Sequence, residues 1–439
     1  MPEQNTVKVG IGFATGRKSF RKVLKTNILN WRECGLTQNR NISLNVFVAY
    51  DLKYEGTKVT DYTNIPPNLL NELDGAFFLG EIAINREKRD LVRKGILSAE
   101  QASLFFEGGY AGKRNALLYW AMKNHMDYLL FLDDDEYPMA VTNTRNWAVW
   151  SGQHILLSHL QQMQNTGANI THGHHCGYIS PIPSLEFNST LTKEDFRSFI
   201  EAISNDIVNW DTHERVMKQG GVTYADTAIL TSNEPQEVLS VNKCKFISGS
   251  NLCINLKDSA RVYPFYNPPG ARGEDTFLST LLADCKVLRI PYYTFHDGFS
   301  AYNHLMDGVL PIRLKPVCGD LDVVVDRFYR ACVGWVRYKP LLLYITQRDT
   351  YESRIQQMRE QLAATLPKLS AYFGRSDFLN ISNELEQYHS SVESHFQQFQ
   401  QTLQIWRKLV FYLETEPKMQ SISALTVNPQ TADSLPSAL

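Results

Sequence analysis

An apolar run that leads directly into four consecutive acidic residues restricts the fold of this 439-residue chain more than any other feature. Asp127-Tyr-Leu-Leu-Phe-Leu132 has the length and composition of a buried strand, and Asp133-Asp134-Asp135-Glu136 follows it without a gap. Open α/β sheets bind their ligands at the carboxyl ends of the strands. Because adjacent carboxylates repel one another unless a cation neutralises them, the run predicts a Mg²⁺, Mn²⁺ or nucleotide site on an α/β sheet. A solvated acidic loop is the alternative interpretation.

The rest of the first 300 residues or so alternates strand signals with helix signals, which is typical of an α/β sheet with crossover helices. Further strands are predicted over residues 7–14, 43–50, 244–255 and 287–295. Helices are predicted over residues 20–31 and 112–125, and another opens at Gly273. The polar stretch 52–109 is expected to form loops with a short helix. The stretch 139–243 is expected to be an insert with one helix, over residues 193–209.

The sequence beyond about residue 316 is rich in Gln, Glu and Leu. Apolar residues recur every three or four positions from Leu385 to Leu413, which predicts a helix with a wide apolar face. That face must pack on the rest of the chain, pair with a second subunit in a homodimer, or lie on a membrane. Arg407 and Lys408 are the only basic pair nearby, which disfavours an anionic membrane. We expect packing or dimerisation, followed by a flexible tail over residues 416–439.

The charge and the cysteine content disfavour several classes of protein. Lys plus Arg number 44 and Asp plus Glu number 46, so the formal charge of −2 offers no basic field for nucleic acid. The seven cysteines form no C-x-x-C pair, which argues against a disulfide framework or structural zinc and favours a reducing compartment. There is no secretory signal and no apolar window long enough to span a membrane. We therefore expect a cytoplasmic protein with no transmembrane segment, and a peripheral position at the inner membrane face stays open.

Three further groups of residues are chemically suggestive, but each has a structural alternative. Glu274-Asp275 precedes an apolar helical run, where acidic residues also serve as helix caps. His296 stands alone at a predicted strand end, as many structural histidines do. His172-Gly-His-His-Cys176 resembles a metal cluster. Adjacent side chains of a strand point to opposite faces, so only His172 and His174, or His174 and Cys176, could share an ion.

The order of these motifs resembles that of GT-A fold glycosyltransferases that use nucleotide sugars, particularly the family-2-like group. The resemblance covers about residues 7–300 and rests on five short matches: Asp51, Asp133 to Asp135, Ser248-Gly249-Ser250-Asn251, Gly273-Glu274-Asp275 and His296. It implies a Rossmann-like mixed sheet flanked by helices. It also implies a catalytic domain over residues 1–315, with the insert 139–243 on its acceptor side, followed by a helical region over residues 316–415.

The resemblance also implies roles for individual residues. The nucleotide-sugar site is expected to contain Ala14, Thr15, Arg17, Asp51, Lys113, Arg114, Asp133, Asp134 and Gly249. A divalent metal, Mn²⁺ or Mg²⁺, would be held by Asp133, Asp135 and His296. The catalytic pair would be Glu274 and Asp275, with Asp275 as general base in an inverting transfer and a retaining outcome as the alternative. A UDP-sugar is the favoured donor, and a glycan or lipid-linked molecule is the expected acceptor.

Two other functions stay open on the sequence alone. A sugar-1-phosphate nucleotidyltransferase would share the nucleotide fold and the metal, but Thr15-Gly-Arg-Lys18 lacks the longer glycine-rich arginine signature of that family. An inactive scaffold of a glycan-synthesis complex could assemble through the C-terminal helices. The presence of Asp133, Asp135, Asp275 and His296 argues against an inactive protein. The released product, a nucleoside diphosphate or pyrophosphate, distinguishes the two enzymes.

Overall fold

The computed structural model describes residues 6–107, 109–145, 147–179, 181–204, 210–299 and 310–415. Within them, a mixed β-sheet flanked by helices forms the core, and long helices make up the C-terminal region. This confirms the expected α/β class, the mixed sheet and the C-terminal helical region. The predicted tail 416–439 and the end of the predicted helix 193–209 lie outside the described residues.

One half of the sheet consists of four parallel strands: β1 (Val7–Thr15), β2 (Ile42–Tyr50), β3 (Gly75–Leu79) and β4 (Tyr128–Leu132). Their order is β3-β2-β1-β4, so the chain moves to one side of β1 first and to its other side later. β4 is an unbroken apolar run, and β1 and β2 are apolar and buried over most of their length, because helices cover both faces of a parallel sheet. A reversal of strand order creates a crevice outside the carboxyl ends, where α/β sheets bind ligands.

Seven further strands complete the β-structure: β5 (Glu136–Tyr137), β6 (Met139–Thr144), β7 (Trp147–Gly152), β8 (Ile170–Gly177), β9 (Gln236–Glu237), β10 (Leu252–Asn255) and β11 (Val287–His296). The sheet continues from β4 in the order β10-β8-β11-β5, with β9 beside β11, and β6 pairs with β7 in a separate hairpin. β10 is antiparallel to both of its neighbours, and β11 is parallel to β8. The carboxyl ends of β4, β8 and β11 therefore lie at the same edge as the amino end of β10.

Eleven α-helices accompany these strands in the described residues: α1 (Phe20–Glu33), α2 (Thr60–Thr63), α3 (Pro67–Leu70), α4 (Glu81–Arg93), α5 (Ala99–Phe106), α6 (Gly109–Lys123), α7 (Ile155–Thr166), α8 (Lys193–Ile203), α9 (Trp210–Lys218), α10 (Thr227–Ser232) and α11 (Glu274–Ser279). α1 buries the predicted apolar face on the sheet and ends at Cys34. Gly35 then takes a φ of 76°, a left-handed conformation that favours glycine after a helix. The predicted helix and its end are confirmed.

The prediction of loops with a short helix over residues 52–109 is wrong, because this stretch contains β3, α4 and α5. β3 has five residues and is mostly half-buried, so its apolar signal is short. α4 has the sequence EIAINREKRDLVR, in which only Leu91 is buried. A helix with so few apolar contacts carries little of the periodicity on which a sequence-based prediction depends.

The prediction of a single helix over residues 139–243 is also wrong, because this stretch contains α7 to α10 and a strand of the central sheet. That strand, β8, lies between β10 and β11 and has the sequence ITHGHHCG. Most of its polar side chains are buried, and Thr171 has a hydrogen-bond partner in the buried His159 of α7: His159 Nδ1 lies 2.7 Å from Thr171 Oγ1. Hydrogen-bonded polar groups can be buried at low cost, which hides such a strand from a search for apolar runs.

The predicted strand over residues 244–255 is shorter than expected, because only Leu252–Asn255 is extended in the sheet. Asn242, Lys243 and Asn251 have φ values of 49°, 64° and 49°, which no strand residue adopts. Residues 244–251 therefore form a loop that delivers the Ser-Gly-Ser segment to the sheet edge.

Four long helices form the C-terminal region: α12 (Asp322–Thr346), α13 (Tyr351–Phe373), α14 (Ile381–Ser390) and α15 (Val392–Thr415). The apolar face predicted from Leu385 to Leu413 is divided between α14 and α15 at Ser391. It packs within the chain: the Trp406 ring stacks on Phe105 of α5, and Nε1 donates to the Val262 carbonyl at 2.6 Å. No helix of the described ranges is long and apolar enough to cross a membrane. The homodimer and the domain boundary at residue 315 stay predictions.

Candidate functional site

The strand order reverses between β1 and β4, and this point is the switch point of the sheet. The predicted acidic run lies there together with Thr15 and Arg17 at the carboxyl end of β1. Thr15 Oγ1 donates to Asp134 Oδ2 at 2.6 Å. Arg17 Nη1 donates to Asp135 Oδ2 and lies 3.5 Å from Asp134 Oδ1. Burial and the charge of Asp135 raise the pKa of Asp134 to about 7. The ends of the two strands are thus joined by a guanidinium and two buried carboxylates.

Asp135 also meets His296, which β11 brings to the same sheet edge. His296 Nε2 lies 3.3 Å from Asp135 Oδ1, and Nδ1 donates to the Tyr178 carbonyl at 2.8 Å. Burial disfavours the imidazolium, but the Asp135 carboxylate outweighs burial and raises the pKa of His296 to about 9. Burial acts on Asp135 too, yet His296 and Arg17 together hold its pKa below the ordinary value. A carboxylate between two cations is therefore ionised at neutral pH.

Arg114 of α6 connects three of the predicted motifs from a position that is 2% exposed. Its Nη2 lies 3.2 Å from Asp133 Oδ1, and its Nη1 donates to the Gly249 carbonyl. Its Nε lies 3.3 Å from Glu274 Oε1 without forming a hydrogen bond. The guanidinium also packs against the rings of Phe131, Phe265 and Tyr110. One buried cation thus positions the acidic run, the glycine loop and the Glu-Asp pair relative to one another.

The Glu274–Asp275 pair stands at the start of α11 and faces the glycine loop. The Gly249 amide donates to Asp275 Oδ2 at 3.1 Å, and the Thr276 amide donates to Asp275 Oδ1 at 2.8 Å. A Cβ on Gly249 would lie 3.3 Å from both Arg114 Nη2 and Asp275 Cβ, so the loop can approach only because it has no side chain there. Burial raises the pKa of Asp275, and burial together with repulsion from Asp275 raises the pKa of Glu274 to about 7. Glu274 can therefore exchange a proton near neutral pH.

A cleft of about 290 Å³ opens beside this pair. Arg272, Glu274 and Asp275 form one side of it, and Trp335 and Tyr338 of α12 form the other. The C-terminal helices therefore supply part of the wall, which the sequence did not indicate. Aromatic rings beside a polar pair are typical of sites that bind small polar molecules.

The remaining predicted residues lie along the β1 and β2 ends of the same edge. Lys113 Nζ lies 3.1 Å from Asp51 Oδ2. Burial by itself would raise the pKa of Asp51. The hydrogen bond from the Lys53 amide and the charge of Lys113 outweigh burial and hold this pKa below the ordinary value. The Ala14 carbonyl accepts a hydrogen bond from Tyr110 Oη at 3.4 Å. All predicted site residues therefore line one edge of the sheet.

The predicted metal trio is divided between two clusters. Asp135 and His296 meet each other, whereas Asp133 contacts Arg114 and accepts a hydrogen bond from Tyr110 Oη at 2.7 Å. Within the described residues, no group of three or more His, Cys, Asp or Glu side chains is arranged to hold a metal ion. Mg²⁺ often takes only one or two protein carboxylates together with substrate phosphates. Asp135 and His296 fit this smaller set, because the bond from Nδ1 to Tyr178 directs Nε2 toward Asp135, although an ion would have to displace the proton on Nε2 and Arg17 would have to release Asp135 Oδ2.

A second buried network at the site was missed by the sequence reasoning. Nδ1 of His175, a residue of β8, lies 3.1 Å from Glu136 Oε1, and Nε2 of the same ring lies 2.7 Å from Ser248 Oγ. Ser250 Oγ donates to Glu136 Oε2 and accepts from the Asp133 amide at 3.1 Å. Glu136 was visible as the fourth acid of the run, but no spacing pointed to its partners. The network fixes the end of β4 against the glycine loop.

The predicted histidine cluster on β8 does not form a metal set among the described residues. The His174 ring stacks on Tyr293 with centroids 5.0 Å apart. His172 is buried, and burial, with the neighbouring charge of Arg289, lowers its pKa well below the ordinary value. These histidines are neutral parts of the core.

Comparison of the chain with protein-family models and with curated proteins finds no match.

Proposed function

We propose that this protein is a glycosyltransferase that moves a sugar from a nucleotide-sugar donor to a hydroxyl group of a glycan or lipid-linked acceptor. The observation that carries the proposal is the meeting of two kinds of site at one sheet edge. Arg17, His296 and the acidic run after β4 lie at the switch point, and the buried Glu274–Asp275 pair opens on a cleft beside them. The resemblance to the family-2-like GT-A enzymes supports the same assignment.

The donor would lie across the carboxyl ends of β1, β2 and β4. Asp51 has carboxylate oxygens that can accept hydrogen bonds from ribose hydroxyls or from a base N–H, and Lys113 holds it in place. Arg17 supplies a fork of N–H donors that matches phosphate oxygens. A UDP-sugar is the donor we favour.

Asp135 and His296 are the residues that would hold a divalent ion, Mg²⁺ or Mn²⁺. Such an ion would neutralise the diphosphate and the negative charge that builds on it as the sugar leaves. His296 makes Mn²⁺ as suitable as Mg²⁺, since imidazole suits transition metals better. The hydrogen bond from Thr15 Oγ1 to Asp134 Oδ2 fixes the acidic run beside Asp135, and the hydrogen bond from His296 Nδ1 to the Tyr178 carbonyl orients the imidazole.

Asp275 would remove the proton from the acceptor hydroxyl. The hydroxyl oxygen attacks the anomeric carbon, the bond from that carbon to the diphosphate oxygen breaks, and the nucleoside diphosphate leaves with the electron pair. The amide of Gly249 orients Oδ2, and burial raises the pKa of Asp275, so its carboxylate is a stronger base than an exposed one. Trp335 on the far side of the cleft offers a ring face for the acceptor sugar. Attack opposite to the leaving group inverts the anomeric configuration.

The test is a nucleotide screen followed by product analysis. UDP, GDP, CMP and TDP are each added with and without Mn²⁺ while the melting temperature is measured, and the matching nucleotide sugar is then assayed for turnover. We expect stabilisation by one diphosphate in the presence of metal, and release of the nucleoside diphosphate rather than pyrophosphate. Asp275→Asn should keep the stabilisation and lose turnover, whereas Asp349→Asn at an exposed helix position should keep both. Absence of stabilisation by every nucleotide, or full turnover by Asp275→Asn, would contradict the proposal.

A further inference from the structure

A guanidinium without a carboxylate partner lies at the border between the sheet edge and the C-terminal helices. Arg327 of α12 is half-buried, donates to the Gly298 carbonyl through Nη1 and covers the Phe299 ring with its guanidinium 4.1 Å from the ring centroid. It makes no ion pair with any Asp or Glu of the described residues, whereas Arg330 on the same helix pairs with Asp326. The Gly298 carbonyl and the Phe299 ring replace only part of the water that burial removes, and a partly buried charge without a paired carboxylate is costly.

The position of Arg327 places this charge beside the proposed diphosphate site. A side chain on Gly298 would collide with both the Arg327 guanidinium and the His296 ring, so the two groups lie close together around the position that a Gly298 Cβ would occupy. His296 in turn contacts Asp135. Arg327 therefore lies beside the proposed metal and diphosphate region.

Arg272 brings a second cation to the same place. Its aliphatic part packs over Gly334 of α12, where a Cβ would lie 3.0 Å from Arg272 Cδ. It is exposed in the cleft and, within the described residues, it forms no ion pair with a carboxylate. Burial lowers the pKa of Arg327 to about 10; Asp135 opposes this effect, and the charges of Arg17 and Arg272 add to it. The three guanidiniums are thus near enough to repel one another.

The charges of this group are unequal in their compensation. Arg17 pairs with Asp134 and Asp135, whereas neither Arg327 nor Arg272 forms an ion pair with a carboxylate of the described residues. Guanidinium groups bind phosphate oxygens through two parallel N–H bonds, and such charge-assisted bonds are about twice as strong as bonds between neutral groups. A bound diphosphate would give both cations an anionic partner.

We propose that Arg327 and Arg272 bind the diphosphate of the donor and stabilise it as it departs, so that α12 is part of the donor site. This inference rests on the proposed function. It identifies a diphosphate as the group that the C-terminal helices recognise, and it makes the helical region necessary for donor binding. Arg327 acts here as a ligand-binding residue.

The inference is tested with three variants of the whole chain: Arg327→Gln, Arg327→Lys and the control Arg330→Gln. Arg330 lies three residues after Arg327 on α12, and its side chain is 69% exposed. Binding of inorganic pyrophosphate, of the nucleoside diphosphate found in the screen and of its monophosphate is measured by titration calorimetry. Loss of a charge-assisted hydrogen bond should weaken pyrophosphate and diphosphate binding by about tenfold or more in Arg327→Gln. Monophosphate binding should change by less than about threefold.

The controls separate ligand binding from support of the fold. Arg327→Lys keeps the charge and should retain part of the affinity, Arg330→Gln should behave as the unmodified chain, and circular dichroism should be the same for all. Unchanged pyrophosphate binding by Arg327→Gln would overturn the inference. Equal weakening of monophosphate and diphosphate would also overturn it, because it would mean that Arg327 only supports the Gly298 segment.

The outcome also distinguishes this inference from the proposed function. If no nucleotide binds but pyrophosphate binds in a manner that depends on Arg327, the anion site stands and the transferase proposal fails. If a nucleotide sugar is turned over with the same diphosphate affinity in Arg327→Gln, the transferase proposal stands and the anion site fails. If neither pyrophosphate nor any nucleoside diphosphate binds, both are refuted.

Discussion

Removal of the Arg114 guanidinium should destabilise the fold by an amount that grows with pH. Arg114→Met keeps most of the aliphatic volume between Phe131 and Phe265 but leaves Asp133 and Glu274 without their shared cation. Breaking a buried ion pair by removing one member typically costs about 3–5 kcal/mol of unfolding free energy, because a charge stays buried without compensation. We expect a loss in this range at about pH 8.5 for Arg114→Met.

The pH dependence follows from the two carboxyl groups that remain. Glu274 already has its pKa raised to about 7 by burial and by Asp275, and loss of Arg114 raises the pKa of Asp133 and of Glu274 further. A group whose pKa is higher in the folded state loses its favourable contribution as the pH rises through the folded pKa. At about pH 5.5 both groups of the variant can be neutral, so the loss should be clearly smaller there.

Urea unfolding followed by circular dichroism at the two pH values measures both losses. Arg359→Met is the matched control, since Arg359 forms an exposed pair with Glu386 whose removal should cost at most about 1 kcal/mol at either pH. The same destabilisation at both pH values would refute the electrostatic argument and would assign the role of Arg114 to packing. A loss below about 1 kcal/mol would refute the buried-cation argument altogether.

Three further outcomes are expected. Trp406→Ala should lower the free energy of unfolding in urea by about 3–5 kcal/mol, because Trp406 is buried against Phe105. The control Phe411→Ala should lower it by less than about 0.5 kcal/mol, since Phe411 is 67% exposed on the same helix. A separate early transition for α15 would contradict its packing on α5. Glu274→Gln should melt at a higher temperature than the unmodified chain at about pH 8.5 and at nearly the same temperature at about pH 4, because the raised pKa of Glu274 costs stability that is lost between the ordinary value of 4.5 and about 7. Asp135→Ala should lose metal-dependent turnover and keep its far-ultraviolet circular dichroism, and unchanged turnover would remove Asp135 from the proposed metal site.

The fold could be predicted where the sequence is locally explicit. β1, β2, β4 and β11 are long apolar runs, and each was placed within a residue or two. The acidic run, Asp51 and His296 follow such strands, and parallel strands bring their carboxyl ends to one edge by geometry alone. β8 could not be predicted in this way, because its buried side chains include Thr171, which meets His159 Nδ1, and the polar residues His172 and His174, so the strand leaves no apolar pattern.

The site could be predicted as a set of residues but not as a set of contacts. The spacing of Asp133 and Asp135 indicates a shared cation, yet the turn after β4 directs one toward Arg114 and the other toward Arg17 and His296. The contributions of Trp335 and Arg327 were missed for another reason. They come from α12, and residues that meet only through long-range packing leave no local signal in the sequence.

The return of α15 to the first half of the fold has a consequence for how the chain is made. Lys94 Nζ donates to Tyr412 Oη at 2.6 Å across 318 positions of sequence, close to where Trp406 covers Phe105. At about 5–20 residues per second, a ribosome needs roughly 15 to 60 s to add the residues between these two partners. Throughout that interval the face of α5 that Trp406 covers is made but exposed. We expect this face to be a binding surface for chaperones on the nascent chain until α15 is complete.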